Sequence, residues 1–298
     1  YSKECVDRLW EILVPFAQYA FNKSHSACYG VISYWTAFLK ANYPVEFMAA
    51  LLTSKKDNKD KLALYLGECR RMGITVLVPD VNESDSDFSP VGDEIRIGLS
   101  AVRNVGANVV EGIVQARRQK GQFTSFQDFL DKVPLQVCNK RAIECLVKAG
   151  AFDSMGVSRR ALLTKAEEAV DAVVSLKKNE AAGQFDLFGG ADADLGLGVH
   201  VVVPDLPEWD KKVKLDHERD MLGLYVSDHP LSGMERTLER AADTTIVRLV
   251  NDEDGPRDGG SVALAGLITS VQPRVSKKNG KLWATIMLED LTGSVEIN

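Results

Sequence analysis

The spacing of apolar residues changes along the chain, and this change restricts the possible folds more than any other feature. In residues 1–73 and again from 99 to about 176, apolar residues recur every three or four positions, which is typical of amphipathic helices. Short β-rich runs at 74–78 and 94–98 interrupt the pattern, and from residue 261 the period becomes two. The sequence therefore predicts a mainly α protein with α+β parts.

Individual elements follow from the same spacing. One helix is predicted from an apolar stripe formed by Val31, Ile32, Trp35, Phe38 and Leu39. Pro44 ends that helix and suits the first turn of the next one, and a third helix is predicted over about 57–72. Residues 189–214, with glycines, prolines and many acids, are predicted to form a linker, and 215–243 are predicted to be helical again.

Composition excludes several classes of protein. The 298 residues suffice for two to three domains, and no apolar run approaches the ~20 residues of a membrane-spanning helix. The five cysteines form no CxxC pair, so we interpret them as free thiols in a reducing compartment and expect a cytoplasmic protein. The carboxylate pairs Asp85/Asp87 and Asp192/Asp194 lie in polar loops that would not hold metal ions rigidly, and no metal site is predicted.

Charge is unevenly distributed. The net charge is −6, which argues against nucleic acid as a partner. Residues 100–150, however, carry eight Lys/Arg and four Asp/Glu, a local charge of +4, whereas residues 183–220 carry four against nine, a local charge of −5. Because phosphate responds to local charge, the basic stretch remains a candidate for binding nucleic acid.

The segment 98–110 (GLSAVRNVGANVV) resembles a helix-hairpin-helix motif. In such a motif the first amides of the second helix, with the positive end of its dipole, bind a phosphate without reading bases. We expect Gly106 to supply the turn and Asn108 to cap the second helix. The predicted DNA-binding residues of this copy are Arg103, Asn104, Gly106 and Asn108.

A weaker second copy follows in the same basic stretch. Residues 126–130 form its first helix, and Asn139, Lys140 and Arg141 open a helix that ends at Gly150. These three residues are also predicted to bind DNA. The alternative is a pair of helical hairpins that only packs a core, but two copies within one basic stretch favour phosphate binding.

Residues 184–188 (QFDLF) lie between a polar helix and an acidic, glycine-bearing linker. Exposed Leu187 and Phe188 are costly unless a partner buries them, and burial stabilises by roughly 1.5–3 kcal/mol for each side chain. With Gln184 and Asp186 they form a candidate peptide anchor for another protein. Packing within the same chain is the alternative.

Two further groups have the composition of nucleic-acid contacts. Lys23 and His25 precede the first strongly apolar helix, although Ser24 there can equally be a helix cap. The terminal meander combines cations with an aromatic ring, which suits single-stranded DNA, where bases stack and phosphates need cations. Its predicted residues are Arg274, Lys277, Lys278, Lys281 and Trp283, and an ordinary solvated hairpin is the alternative.

Taken together, these residues resemble one family, the bacterial replicative DNA polymerase III alpha subunits. The most specific match is residues 21–29 (FNKSHSACY) with 33–47. The match continues through 68–73, 79–82, the hairpin stretch and 148–153, and it resumes at 218–225 with His229 and Pro230. It covers nearly the whole chain in the family's order.

The resemblance implies a domain plan. Residues 1–74 would be the C-terminal part of the fingers, with Lys23 and His25 near nucleotide or template. Residues 75–180 would be a tandem helix-hairpin-helix domain that grips duplex DNA. Residues 181–214 would hold the internal sliding-clamp motif and a linker, 215–258 a helical connector, and 259–298 the start of a truncated OB-fold for the single-stranded template. Both ends of the sequence are expected to be truncations.

The resemblance also implies a function. The intact protein would be a DNA-directed DNA polymerase that uses Mg²⁺, with the β sliding clamp and other subunits of the polymerase III holoenzyme as partners. The family's catalytic aspartates belong to a palm domain, for which this sequence offers no candidates. We therefore expect no catalytic residue, no bound cofactor and no activity in this chain alone. A damage-tolerance paralogue and a non-enzymatic clamp-and-DNA adaptor remain alternatives.

Overall fold

The computed structural model describes residues 2–17, 23–56, 58–181, 201–223, 225–251, 259–275, 280 and 282–298. Within these residues the protein is mainly helical and has two small sheets, which confirms the fold class predicted from the change in apolar spacing. The chain forms two compact units, residues 1–48 and residues 49–298.

The helices of the first unit expose much of their apolar surface. α1 spans Lys3–Ala17, α2 spans Lys23–Asn42, and α3, Pro44–Ser54, begins at the predicted proline. The side chains of the predicted apolar stripe on α2 are 45–59 % exposed, and α2 has no buried residue. The spacing thus predicts the helix correctly, but nothing in the described part of the chain covers the stripe.

The second unit opens with a helix and a small sheet. α4 spans Lys59–Arg71, and Asn58 caps it by accepting a hydrogen bond from the Lys61 amide at 3.0 Å. The strands are β1, Val76–Leu77, β2, Ser89–Val91, and β3, Glu94–Arg96. Their order is β1-β3-β2, with β1 parallel and β2 antiparallel to β3. Sequence spacing misses β2 because it contains Pro90, which an edge strand tolerates.

Helices make up most of the remaining chain. Their bounds are Ala107–Lys120 for α5, Phe126–Lys132 for α6, Lys140–Ala149 for α7, Arg159–Ala181 for α8, Lys211–Leu222 for α9, Glu235–Ala241 for α10 and Ile246–Asn251 for α11. Short 3-10 turns lie at Leu99–Ala101, Leu135–Val137 and Asp153–Met155. The buried rings of Phe123, Phe126, Phe129 and Phe152 meet edge to face at 5.0–5.3 Å and hold α6 in the core.

The predicted linker is bound to the helical core over its described part. The Val201 amide donates to the Gln127 side chain on α6 at 2.9 Å, and the Leu206 carbonyl accepts from Ser158 Oγ at 2.7 Å. The Lys177 ammonium of α8 also bonds to α6, donating to the Leu130 carbonyl at 2.7 Å. Residues 201–210 are therefore an anchored strap, and α9 begins inside the range predicted to be a linker.

The second sheet is an antiparallel meander in the order β4-β5-β6, as predicted. β4 is Leu267–Val275, β5 is Leu282–Glu289 and β6 is Ser294–Ile297. The alternating pattern begins at residue 261, but β4 begins only at Leu267, and its ladder with β5 runs as far as the Val275–Leu282 pair. Asp290 joins the sheet to α11 by accepting from the Ile246 amide at 2.8 Å.

Candidate nucleic-acid interface

A tight turn precedes α5. The Val105 amide donates to the Val102 carbonyl at 3.2 Å, and Asn104 between them has a φ of 62°. A positive φ at the third residue is typical of a type II turn, and Asn adopts it more readily than most residues. The left-handed residue is therefore Asn104 and not the predicted Gly106, whose φ is −76°.

α5 begins with an open first turn. Gly106 is its N-cap residue, so the predicted capping by Asn108 is wrong, because Asn108 already lies inside the helix. No side chain caps this end, and the amides of Ala107 and Asn108 have no acceptor within the described residues. Exposed first-turn amides at the positive end of a helix dipole are suited to bind an anion.

The second copy has the predicted local structure. The Asn139 side chain accepts from the Ala142 amide at 3.2 Å and so caps α7, and Gly150 ends the helix with a φ of 89°. Lys140 and Arg141 occupy the exposed first turn, and their amides have no acceptor in the described part of the chain.

The two hairpins pack against each other. A Cβ at Gly112 of α5 would lie 2.5 Å from Val137 Cγ2, so glycine is needed for this close approach. The side-chain Nδ2 of Asn104 donates to the thiol of Cys145 on α7 at 3.5 Å. Asn104, predicted to bind DNA, thus also links the turn of one hairpin to the second helix of the other.

Most of the positive charge in residues 100–150 is used within the protein. Six of its eight cationic side chains bond to carboxylates or carbonyl oxygens of this chain, namely Arg117, Arg118, Lys120, Lys132, Lys140 and Lys148. The other two, Arg103 and Arg141, are exposed and have no ionic partner among the described residues. The local charge of +4 therefore overstates what this surface offers to phosphate.

Lys140 is held by two acids of α8. Its ammonium lies 2.7 Å from Asp171 Oδ2 and 3.0 Å from Glu167 Oε1. The hydrogen bonds that Lys140 donates to Asp171 and Glu167 raise the pKa of Lys140. The three side chains are 43–78 % exposed, so water and phosphate can reach them.

A buried ionic joint, which sequence reasoning missed, supports the second hairpin. The Arg159 guanidinium makes two hydrogen bonds to Asp153, at 2.7 and 2.8 Å, and lies 2.9 Å from Glu218 of α9. Burial disfavours the charged form, but Asp153 and Glu218 outweigh it and raise the pKa of Arg159. No local pattern could have revealed the joint, because Glu218 is far from Arg159 in sequence.

The start of α8, unlike those of α5 and α7, is closed. The Glu208 carboxylate accepts from the Arg159 amide at 3.0 Å and from the Arg160 amide at 3.3 Å. Burial alone would raise the pKa of Glu208, but these bonds and one from the Trp209 amide lower it. This helix end is therefore already occupied by a carboxylate.

The last turn of α9 contacts both the first hairpin and the second sheet. The Met221 carbonyl accepts from the Arg103 amide at 2.9 Å. Arg219 donates to the Thr269 carbonyl at 3.1 Å and covers the Tyr225 ring. The turn that carries Arg103 is thus held in place by a helix outside the hairpins.

The predicted single-strand site is partly described. Arg274 and Trp283 are cross-strand partners, and the guanidinium carbon lies 5.5 Å from the ring centroid. Side chains alternate along a strand, so Leu282 and Val275, the next pair, lie on the opposite, apolar face. Lys277, Lys278 and Lys281 lie outside the described residues.

The remaining predicted residues are distributed as follows. Lys23 and His25 lie exposed in the first turn of α2, where the His25 ring is 4.6 Å from the Tyr29 ring. The predicted clamp-binding residues, Gln184, Asp186, Leu187 and Phe188, lie outside the described residues. Among the residues that are described, no cluster of His, Cys, Asp or Glu has a metal-binding arrangement, and no helix is long and apolar enough to cross a membrane.

Comparison with known proteins agrees with this geometry. A family model described as "Helix-hairpin-helix motif" matches residues 73–162. Proteins named DNA polymerase III subunit alpha match the whole chain, with 55 % identity in Saccharopolyspora erythraea, 53 % in Mycobacterium tuberculosis and 35 % in Borreliella burgdorferi. The chain spans about a quarter of the length of these relatives, 25–26 %. Over its whole length, the chain is thus similar to a segment of these DNA polymerase III alpha subunits.

Proposed function

We propose that this chain is the part of a bacterial replicative DNA polymerase that holds DNA while the intact protein carries out template-directed synthesis. The observation that carries the proposal is the pair of packed hairpins. Each opens a helix with exposed amides beside an arginine that has no ionic partner among the described residues. Contacts of this kind hold the sugar-phosphate backbone without reading bases, as an enzyme that copies any sequence requires.

The predicted domain plan remains part of this proposal. Residues 1–74 would belong to the fingers and residues 75–180 would grip the duplex. Residues 259–298 would begin an OB-fold, and the Arg274–Trp283 pair supports a role with the single-stranded template. The intact cytoplasmic enzyme would use Mg²⁺, and we expect this chain alone to extend no primer.

Residues 184–188 would bind the β sliding clamp, so that the polymerase stays on its template. Their composition supports this role, since two large apolar side chains are flanked by acids and glycines. Other subunits of the polymerase III holoenzyme would be further partners.

The duplex grip is tested by replacing both arginines. Arg103→Ala/Arg141→Ala should weaken binding of a fluorescent duplex oligonucleotide equally for unrelated sequences. Because each phosphate contact adds about one to the slope of log K against log salt, the slope should become shallower by about two. Arg71→Ala is the matched control, since this exposed residue of α4 pairs only with Glu68 among the described residues. Unchanged affinity and slope in the double variant would refute the grip.

A further inference from the structure

The second hairpin has two cations in the first turn of α7, and one of them, Lys140, is already paired with acids of this chain. Lys140 is the first residue of α7, where a bound phosphate would lie. Its ammonium instead binds Glu167 and Asp171, at 3.0 and 2.7 Å. These acids are one turn apart on α8, so they lie on the same face of that helix.

Glu167 and Asp171 bind Lys140, but the neighbouring acid on α8 does not. Glu168, the neighbour of Glu167 on the same helix, binds Lys165 at 2.7 Å. At the first hairpin, Arg103 has no carboxylate partner among the described residues. The two hairpins therefore differ in one respect that matters to phosphate: Lys140 of the second is paired with acids of this chain, whereas Arg103 beside the first has no such pair among the described residues.

We propose that Glu167 and Asp171 limit the affinity of the second hairpin for duplex DNA by competing with phosphate for Lys140. This inference rests on the proposed duplex grip. Two mechanisms act in the same direction: the carboxylates occupy the donors of the ammonium, and their charges lie 3.0 and 2.7 Å from it, well within the Debye length of ~10 Å. Exposed ion pairs are weak, so phosphate can displace the acids at a modest cost. The second hairpin would therefore hold the duplex weakly enough for the DNA to slide.

The test measures duplex affinity of the full chain over a series of NaCl concentrations. Glu167→Gln/Asp171→Asn keeps the shape of both side chains and should tighten binding about two- to fivefold at low salt. Its salt slope should steepen by about one, since a further cation reaches phosphate. Glu168→Gln, which changes the charge of the same helix but frees Lys165 instead, should change affinity far less.

Lys140→Ala separates this mechanism from a general charge effect. Alone it should change affinity little, but added to the doubly substituted chain it should remove most of the gain. A gain that survives without Lys140, or no gain at all, would overturn the proposal. In either case, loss of binding in Arg103→Ala/Arg141→Ala would still support the proposed duplex grip. Unchanged affinity in that variant as well would refute both the duplex grip and the competition for Lys140.

Discussion

Glu218 of α9 and Arg159 at the start of α8 form an ion pair of 2.9 Å in which the side chains are only 0 % and 1 % exposed. Asp153 binds the same guanidinium, and Glu218 also accepts from the Ser227 amide at 3.0 Å. Charges removed from water are tolerated only when each has its partners. The pair therefore fixes α9 to the second hairpin, and α9 in turn holds the turn of the first.

Glu218→Ala should lower the free energy of unfolding by about 3–5 kcal/mol, because it removes one of the two carboxylates that pair with the buried guanidinium and leaves the Val226 and Ser227 amides without their acceptor. Glu218→Gln, which keeps an acceptor for the amides, should cost less. Urea denaturation measures both, with the exposed Glu168→Ala as control. Equal stability of all three variants would contradict a stabilising role for the joint.

Two glycine substitutions should separate folding from binding. Gly150→Ala should destabilise by about 1–3 kcal/mol, because φ is 89° and the new Cβ would lie 2.3 Å from Arg159 Nη2. Gly106→Ala should cost less than about 1 kcal/mol, since φ is −76° and no atom lies within 4 Å of its Cβ position. Gly106→Ala should nevertheless weaken duplex binding, because the methyl group obstructs the approach of a phosphate to α5. Full affinity in that variant would argue against this helix end as a contact.

The Leu187→Ala/Phe188→Ala double variant should abolish capture of the chain on an immobilised β sliding clamp. The two side chains would supply most of the apolar area buried in a short-peptide complex, roughly 1.5–3 kcal/mol each. Duplex affinity, measured on the same preparation, should not change. Undiminished capture would remove the clamp assignment.

Trp283→Ala should weaken binding of a single-stranded oligonucleotide by about 1–3 kcal/mol, the usual loss when a stacking ring is removed. Leu282→Ala is the matched control, since this neighbour is more exposed, at 79 % against 41 %, but lies on the opposite face of the sheet. Fluorescence anisotropy measures both variants. Equal losses would indicate a general effect on the sheet and not stacking on Trp283.

The stabilising contribution of Asp228 should be lost in acid. Hydrogen bonds from Lys211 and Ser232 lower the pKa of Asp228 from 3.8 to about 2. A lowered pKa in the folded state stabilises the fold above pH 3.8, and this contribution is lost as the pH falls through 2. The Tm difference between the unaltered chain and Asp228→Asn should therefore be constant near neutrality and shrink between these values. Parallel Tm curves for the unaltered chain and Asp228→Asn would contradict the prediction.

Sequence reasoning succeeded where the determinants are local. The start of a helix at residues 139–141 and its end at Gly150 depend on residues next to that helix, and both are confirmed. The cap predicted for Asn108 failed because α5 starts two residues earlier than that cap requires, a difference that apolar spacing does not resolve.

Contacts between residues far apart in sequence could not be predicted in this way. Lys140 finds its partners 27 and 31 residues away, on a helix whose predicted pattern says nothing about which face meets α7. Counting charge by segment indicated a basic surface correctly. It could not indicate that Arg103 and Arg141 are the cations of that segment without an ionic partner in the described chain.

Two segments of the chain bind the short helix α6. They are the end of α8, through Lys177, and the start of the strap, through Val201. α6 has seven residues, a length of about 10 Å, so the chain leaves and re-enters this domain at nearly the same place. Any pull exerted between these two points is carried by α6 and its buried phenylalanines, not by a free linker. Force applied there would act directly on the hairpins.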